Sequence, residues 1–155
     1  MIARKAAWAA ALEAFLRERA KSPFIWGVRD CSLFAADAIY AMTGTDIAAK
    51  FRGQYHSEAT AFACIAQVTG GKTVGDAAAW CASQYGLPEW KHPLQAQRGD
   101  LVVLPNAGRL IAAIVHLNGI HAVTVTEQGL APFPLSQITR AWHVPVANKK
   151  AGQHE

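Results

Sequence analysis

The sequence predicts an α+β domain, with helices in its first half and an antiparallel β-meander in its second. Up to about Gly86 the apolar residues recur at helical spacing, and from Asp100 onward they alternate with period two. The turn residues change in step. Gly44, Gly70-Gly71 and Gly86 close the helical stretches, whereas Asn106–Gly108, Asn118-Gly119 and Gln128-Gly129 divide the alternating ones.

A first helix over Trp8–Ala20 places Trp8, Leu12, Phe15 and Leu16 on one face, and Ser22-Pro23 ends it. Its apolar run is not a signal peptide. Glu13 interrupts the run, and Arg17, Glu18 and Arg19 follow where a cleavage site would need small residues. A second helix runs from Cys31 to about Met42, with Asp30 as its N-cap. Ser57 caps a third through Phe62, Ile65 and Ala66, and Thr73 with Asp76 opens a fourth in capping-box fashion. Short strands follow at Asp100–Leu104, Leu110–Leu117, Ile120–Thr126, Leu130–Phe133 and Ala141–Val144. One domain over residues 1–146 is expected, with 147–155 as a polar, disordered tail.

Composition narrows the function. Apolar residues at 52% and charged residues at 17% exclude general disorder. No apolar run approaches the roughly 18 residues that span a bilayer. The net charge of +4 comes from scattered Lys and Arg, which does not make a nucleic-acid interface. Gly71-Lys72-Thr73 resembles the end of a phosphate loop, but Ala66 stands where the motif needs glycine, so it reads as a helix-to-helix turn.

Three cysteines at wide spacing form no CxxC pair and no disulfide framework. Cys64 and Cys81 lie inside apolar helical patterns and read as small buried hydrophobes. Cys31 is the candidate nucleophile. It falls in the first turn of its helix, where free N–H groups and the positive dipole end favour a thiolate. The charge of Asp30 and burial act in the opposite sense.

A hairpin supplies candidate bases. If Asn118-Gly119 forms a two-residue turn with both φ angles positive, His116 lies directly opposite His121. They share a face with Ala112, Ile114, Val123 and Val125; the opposite face, ending in Thr124 and Thr126, is expected to be wetter. The pair matters for catalysis only if the helix start bearing Cys31 packs against this hairpin. Cys31, His116 and His121 with a water would satisfy zinc, but no spacing selects that site, and no metal or other cofactor is expected. His56, His92, His143 and His154 show no comparable arrangement, although His143 on the last strand can face the same way.

Pro23-Phe24-Ile25-Trp26-Gly27, then Asp30-Cys31-Ser32, then Arg98-Gly99-Asp100-Leu101-Val102 resemble the NlpC-like cell-wall cysteine peptidases. Those papain-like enzymes cut peptide bonds in bacterial peptidoglycan stems. The stretch from Phe24 to Asp46, with Gly129-Leu130 through Pro134-Leu135 to Arg140-Ala141-Trp142, is similar to small proteins of phage and prophage tail-gene clusters. Together the resemblance covers roughly residues 8–145. It implies a papain-like NlpC-type fold, with Cys31 as the nucleophile and a histidine base on the strand after the Gly-Asp strand. Two registers are open. If His121–Val125 is the histidine strand, His121 is the base; if Leu110–Leu117 is, its opening positions are Leu110 and Ile111, and His121 falls at the orienting position. His116, Asp30, Tyr55 and Trp26 are the accessory candidates, Tyr55 and Trp26 as walls of a substrate groove. Phe24 stands where the family has tyrosine, and Leu33 where it has glycine.

Two functions follow from the resemblance. One is a tail-associated endopeptidase acting on peptidoglycan stem peptides by a Cys-His thiol mechanism. The other is a catalytically silent module that serves as a structural or adaptor part of the tail. Either would be made in the host cytoplasm and carried in the virion tail beside other tail proteins.

Overall fold

The computed structural model describes residues 2–147, in which four helices precede a five-stranded antiparallel sheet. The helices are α1 (Trp8–Arg19), α2 (Cys31–Thr43), α3 (Glu58–Thr69) and α4 (Val74–Tyr85). The strands are β1 (Leu101–Asn106), β2 (Arg109–Val115), β3 (His121–Thr126), β4 (Gly129–Pro134) and β5 (Arg140–Trp142). Their order across the sheet is β4-β3-β2-β1-β5. The expected polar tail lies outside the described residues except for Ala147. Among the described residues no helix is long and apolar enough to cross a membrane.

The caps behave as the sequence predicts. Asp30 accepts from the Leu33 amide at 2.9 Å, and Ser57 and Thr73 each form a reciprocal capping box, with Thr60 and Asp76 respectively. Gly44, Gly70 and Gly86 take left-handed conformations at the three C-termini.

The hairpin between β2 and β3 differs in detail. The His116 amide donates to the His121 carbonyl at 2.8 Å, so the two histidines do oppose each other. Gly119 has φ +70°, but Asn118 keeps a negative φ. Its side-chain oxygen instead accepts from the amides of Ile120 and His121, holding a longer loop. The tight turn with two positive φ angles is at Ala107 (+53°) and Gly108 (+83°), between β1 and β2.

The helices cover one face of the sheet, where Leu101, Val103, Ala112, Ile114, Val123 and Val125 join the main core. The other face is not wet. β4 and β5 lie on opposite edges, so the chain between them must cross the sheet, and Phe133, Leu135 and Ile138 pack over Val102, Leu104, Ala113, Val115 and Ala122. Thr124 is 0% exposed as a result, which corrects the expected polar face. Its hydroxyl has no hydrogen-bond partner. Thr124→Val removes an unsatisfied buried group at nearly constant shape, so it is expected to leave stability unchanged or raise it by up to about 1 kcal/mol in urea denaturation.

A buried carboxylate ties the amino terminus to the sheet. Asp100 accepts from Arg4, His143 and the Val144 amide on one oxygen, and from Trp90 and the Gln97 amide on the other. His143 therefore lies beyond β5 and serves this cluster. Gly99 precedes it at φ +82°, and a Cβ there would stand 2.8 Å from Arg4 and 3.1 Å from the Met42 sulfur. The C-terminal end of α2 thus packs where β1 begins, beside Val115 at the end of β2. Cys31, at the other end of α2, faces the backbone of Ala112 midway along β2. Helix α2 and strand β2 run in the same direction.

Candidate functional site

The site is built around Asp30. The loop before it turns tightly, with the Ile25 and Arg29 backbones exchanging hydrogen bonds at 3.1 and 2.7 Å across Gly27. Gly27 has φ +81°, and a Cβ on it would stand 2.1 Å from the Tyr55 carbonyl oxygen. Only glycine lets the two segments approach this closely. The Gly27 amide then donates to Asp30 at 2.9 Å, and the Tyr55 hydroxyl donates to the same oxygen at 2.6 Å. With the Leu33 amide on its other oxygen, the carboxylate is satisfied while 1% exposed. Tyr55 thereby brings a phenol to the helix start, where Phe24 cannot. Phe24 and Trp26 meet edge to face at 5.1 Å, and both line the cleft, as Tyr55 does.

Cys31 is buried at the head of α2, with its sulfur 3.9 Å from the Ser32 hydroxyl. Burial pushes its thiol up to about 11; the hydrogen bond to the Ala112 backbone pulls against this, and the Asp30 charge adds to it. Burial also raises the Tyr55 phenol, and the Asp30 charge reinforces that. Burial therefore outweighs the dipole and the free N–H groups, and the thiol is neutral at pH 7. Cys81, a second cleft thiol, is pushed up by burial to about 12, and Cys64 is raised by burial too.

These thiols link stability to alkaline pH. Each is neutral in the fold and ionises more readily when unfolded, near 8.5. Their contribution is complete below about pH 8.5 and is lost as pH rises toward the folded values. The urea midpoint is therefore expected to fall steeply above pH 9, and the slope of that fall should shrink in Cys81→Ala.

The cleft is a cavity of about 310 Å³ between α2, α3, α4 and the sheet. Among the described residues no histidine lines it. His116 lies four residues beyond Ala112 along β2, about 13 Å away at strand rise, and His121 pairs with it there. Neither ring is among the residues lining the cleft that holds Cys31. The His116 ring accepts from the Asn118 amide at 3.0 Å, and the His121 ring lies 3.5 Å from the Asn118 side chain. Opposite Cys31 the sheet offers Leu110, Ala112, Val125 and Thr126. The expected meeting of Cys31 with the histidine pair is thus not present in the structure. The strand beside Cys31 is β2, with Leu110 and Ile111 near its opening, and His121 at the start of β3 is not among the residues lining the cleft. Among the described residues no group of three or more His, Cys, Asp or Glu is placed to hold a metal ion, and the Cys31-His116-His121 triad is not assembled.

Two residues at the mouth were not singled out by the sequence. Arg109, opening β2, forms an ion pair with Glu58, opening α3. Neither carries a local motif; only the long-range packing of α3 beside the β1–β2 turn brings them together.

The family described as Domain of unknown function (DUF6950) matches residues 3–144. The chain belongs to the DUF6950 family. The match takes in α1 through β5, and with them the Gly27-Asp30-Tyr55 cluster and the whole cleft. No curated protein and no solved structure matches the chain.

Proposed function

We propose that this DUF6950 chain is a papain-like module of the NlpC type that carries out no peptide chemistry and serves as a structural or adaptor component of a phage tail. One observation carries the loss of chemistry: among the described residues, no histidine lines the cleft around Cys31. A thiol attacks an amide only once a base has taken its proton, and the same base must then protonate the leaving amine. Here the thiol is held neutral, and the carboxylate of the neighbouring residue, Asp30, already accepts three hydrogen bonds.

The NlpC-type assignment is supported by the order of the elements and by a cysteine heading a helix that packs along an antiparallel sheet. The tail setting, with synthesis in the host cytoplasm and passage into the virion, is carried by the sequence resemblance. The peptidase reading keeps Asp30-Cys31 and the free N–H groups of the helix start, but among the described residues no histidine of the cleft does the work of its base. Incubation with purified peptidoglycan is expected to release no more stem-peptide amines than a Cys31→Ala control. Cleavage that depends on Cys31 would restore the peptidase reading.

A further inference from the structure

We propose that the cavity behind Cys31 is a binding site for an uncharged, apolar small molecule of about ten non-hydrogen atoms, entered at the Arg109–Glu58 mouth. This goes beyond the reading above, because it concerns the space between the helices and the sheet rather than the chemistry of the thiol. The size comes from the volume: 310 Å³ is about twice the roughly 150 Å³ of an engineered apolar cavity that takes benzene, and it sits at the lower end of natural ligand pockets.

The cavity owes its room to alanines contributed by every wall. Ala35 and Ala36 come from α2, Ala61 from α3, Ala77 and Ala78 from α4, and Ala112 from β2. Leucine or isoleucine at two or three of these positions would fill the space and close the core, as cores generally do. Six small residues converging from four elements instead keep it open.

The chemistry of the lining sets the class of ligand. Asp30 has both oxygens engaged, by Gly27, Leu33 and Tyr55, and Glu127 is an exposed residue of the turn between β3 and β4. The two thiols in the wall, Cys31 and Cys81, are neutral. A charged group carried inward would lose its water and gain no partner. At the mouth, Arg109 and Glu58 have side chains 48% and 42% exposed, so their ion pair is a weak one that a change of rotamer opens.

The test is a titration of the full chain with straight-chain 1-alkanols from butanol to dodecanol, read by the alanine methyl resonances in NMR. The methyls of Ala36 and Ala78 should shift saturably, while that of Ala131 on β4 does not. Affinity should rise about fourfold per methylene until the chain reaches about ten non-hydrogen atoms, and then level off. The dissociation constant at the plateau is expected near 0.1–1 mM, in keeping with about ten apolar atoms. Ala78→Phe, which fills the cavity, should abolish the shifts while retaining native methyl dispersion. His121→Ala, at a residue outside the cavity lining, should bind as wild type does. Absence of saturable shifts in wild type, an affinity independent of chain length, or binding that survives in a folded Ala78→Phe protein would each overturn the proposal.

Discussion

Gly27→Ala is expected to destabilise the protein by about 3 kcal/mol or more, a large loss for a domain of this size. Two costs add. The residue sits at φ +81°, where an L side chain costs about 1 kcal/mol, and its Cβ would stand 2.1 Å from the Tyr55 carbonyl oxygen. That neighbour is backbone, so it cannot turn aside as a side chain would. Relieving the overlap moves either the loop or the segment bearing Tyr55, and both hold Asp30 through hydrogen bonds. The disturbance therefore reaches the cap of α2. A urea titration followed by tryptophan fluorescence gives the size, and a loss under about 1 kcal/mol would mean that the two segments are not locked together here.

Asp100→Ala should be at least as damaging, by about 3–5 kcal/mol, because it leaves the Arg4 guanidinium buried without its counter-charge. Arg4 is 4% exposed and Asp100 0%, so water cannot take the missing partner's place without opening the core. The amides of Gln97 and Val144 and the Trp90 indole would lose their acceptor as well. Arg4→Met with Asp100→Leu should recover part of the loss, since it removes both charges rather than one. Thermal unfolding of the two single variants and the double variant measures the coupling directly.

The resemblance to the peptidases runs through residues whose work here is structural. Trp26-Gly27 closes a turn that only glycine permits, Asp30 caps a helix and anchors Tyr55, and Gly99-Asp100 organises a buried ion cluster. None of these tasks requires a reactive thiol. The residues that carry the resemblance thus hold the helix start and the sheet edge in place, whatever the thiol does.

What the sequence reveals is what short-range chemistry decides. Asp30, Ser57 and Thr73 declare helix starts because each satisfies amides within three residues of itself, and the opposition of His116 and His121 follows from the hairpin between them. The end of the sheet that meets Cys31 is decided otherwise. It depends on Met42 packing by Gly99 and on α2 running along β2, contacts that join residues more than fifty positions apart. The burial of Thr124 is equally remote in origin, since it depends on the crossing between β4 and β5. Both misplacements were thus matters of which surfaces meet, and neither was an error of local pattern.

The most direct test of the account is the rate of Cys31 alkylation by iodoacetamide as a function of pH, resolved by mass spectrometry and repeated in His121→Ala. An unassisted buried thiol should react slowly at pH 7, no faster than Cys64 or Cys81, with a rate that climbs up to about tenfold per pH unit toward pH 11 and is unchanged in the variant. A fast Cys31 that titrates below about 8.5, and slows when His121 is removed, would contradict the account and put a working catalytic pair in its place.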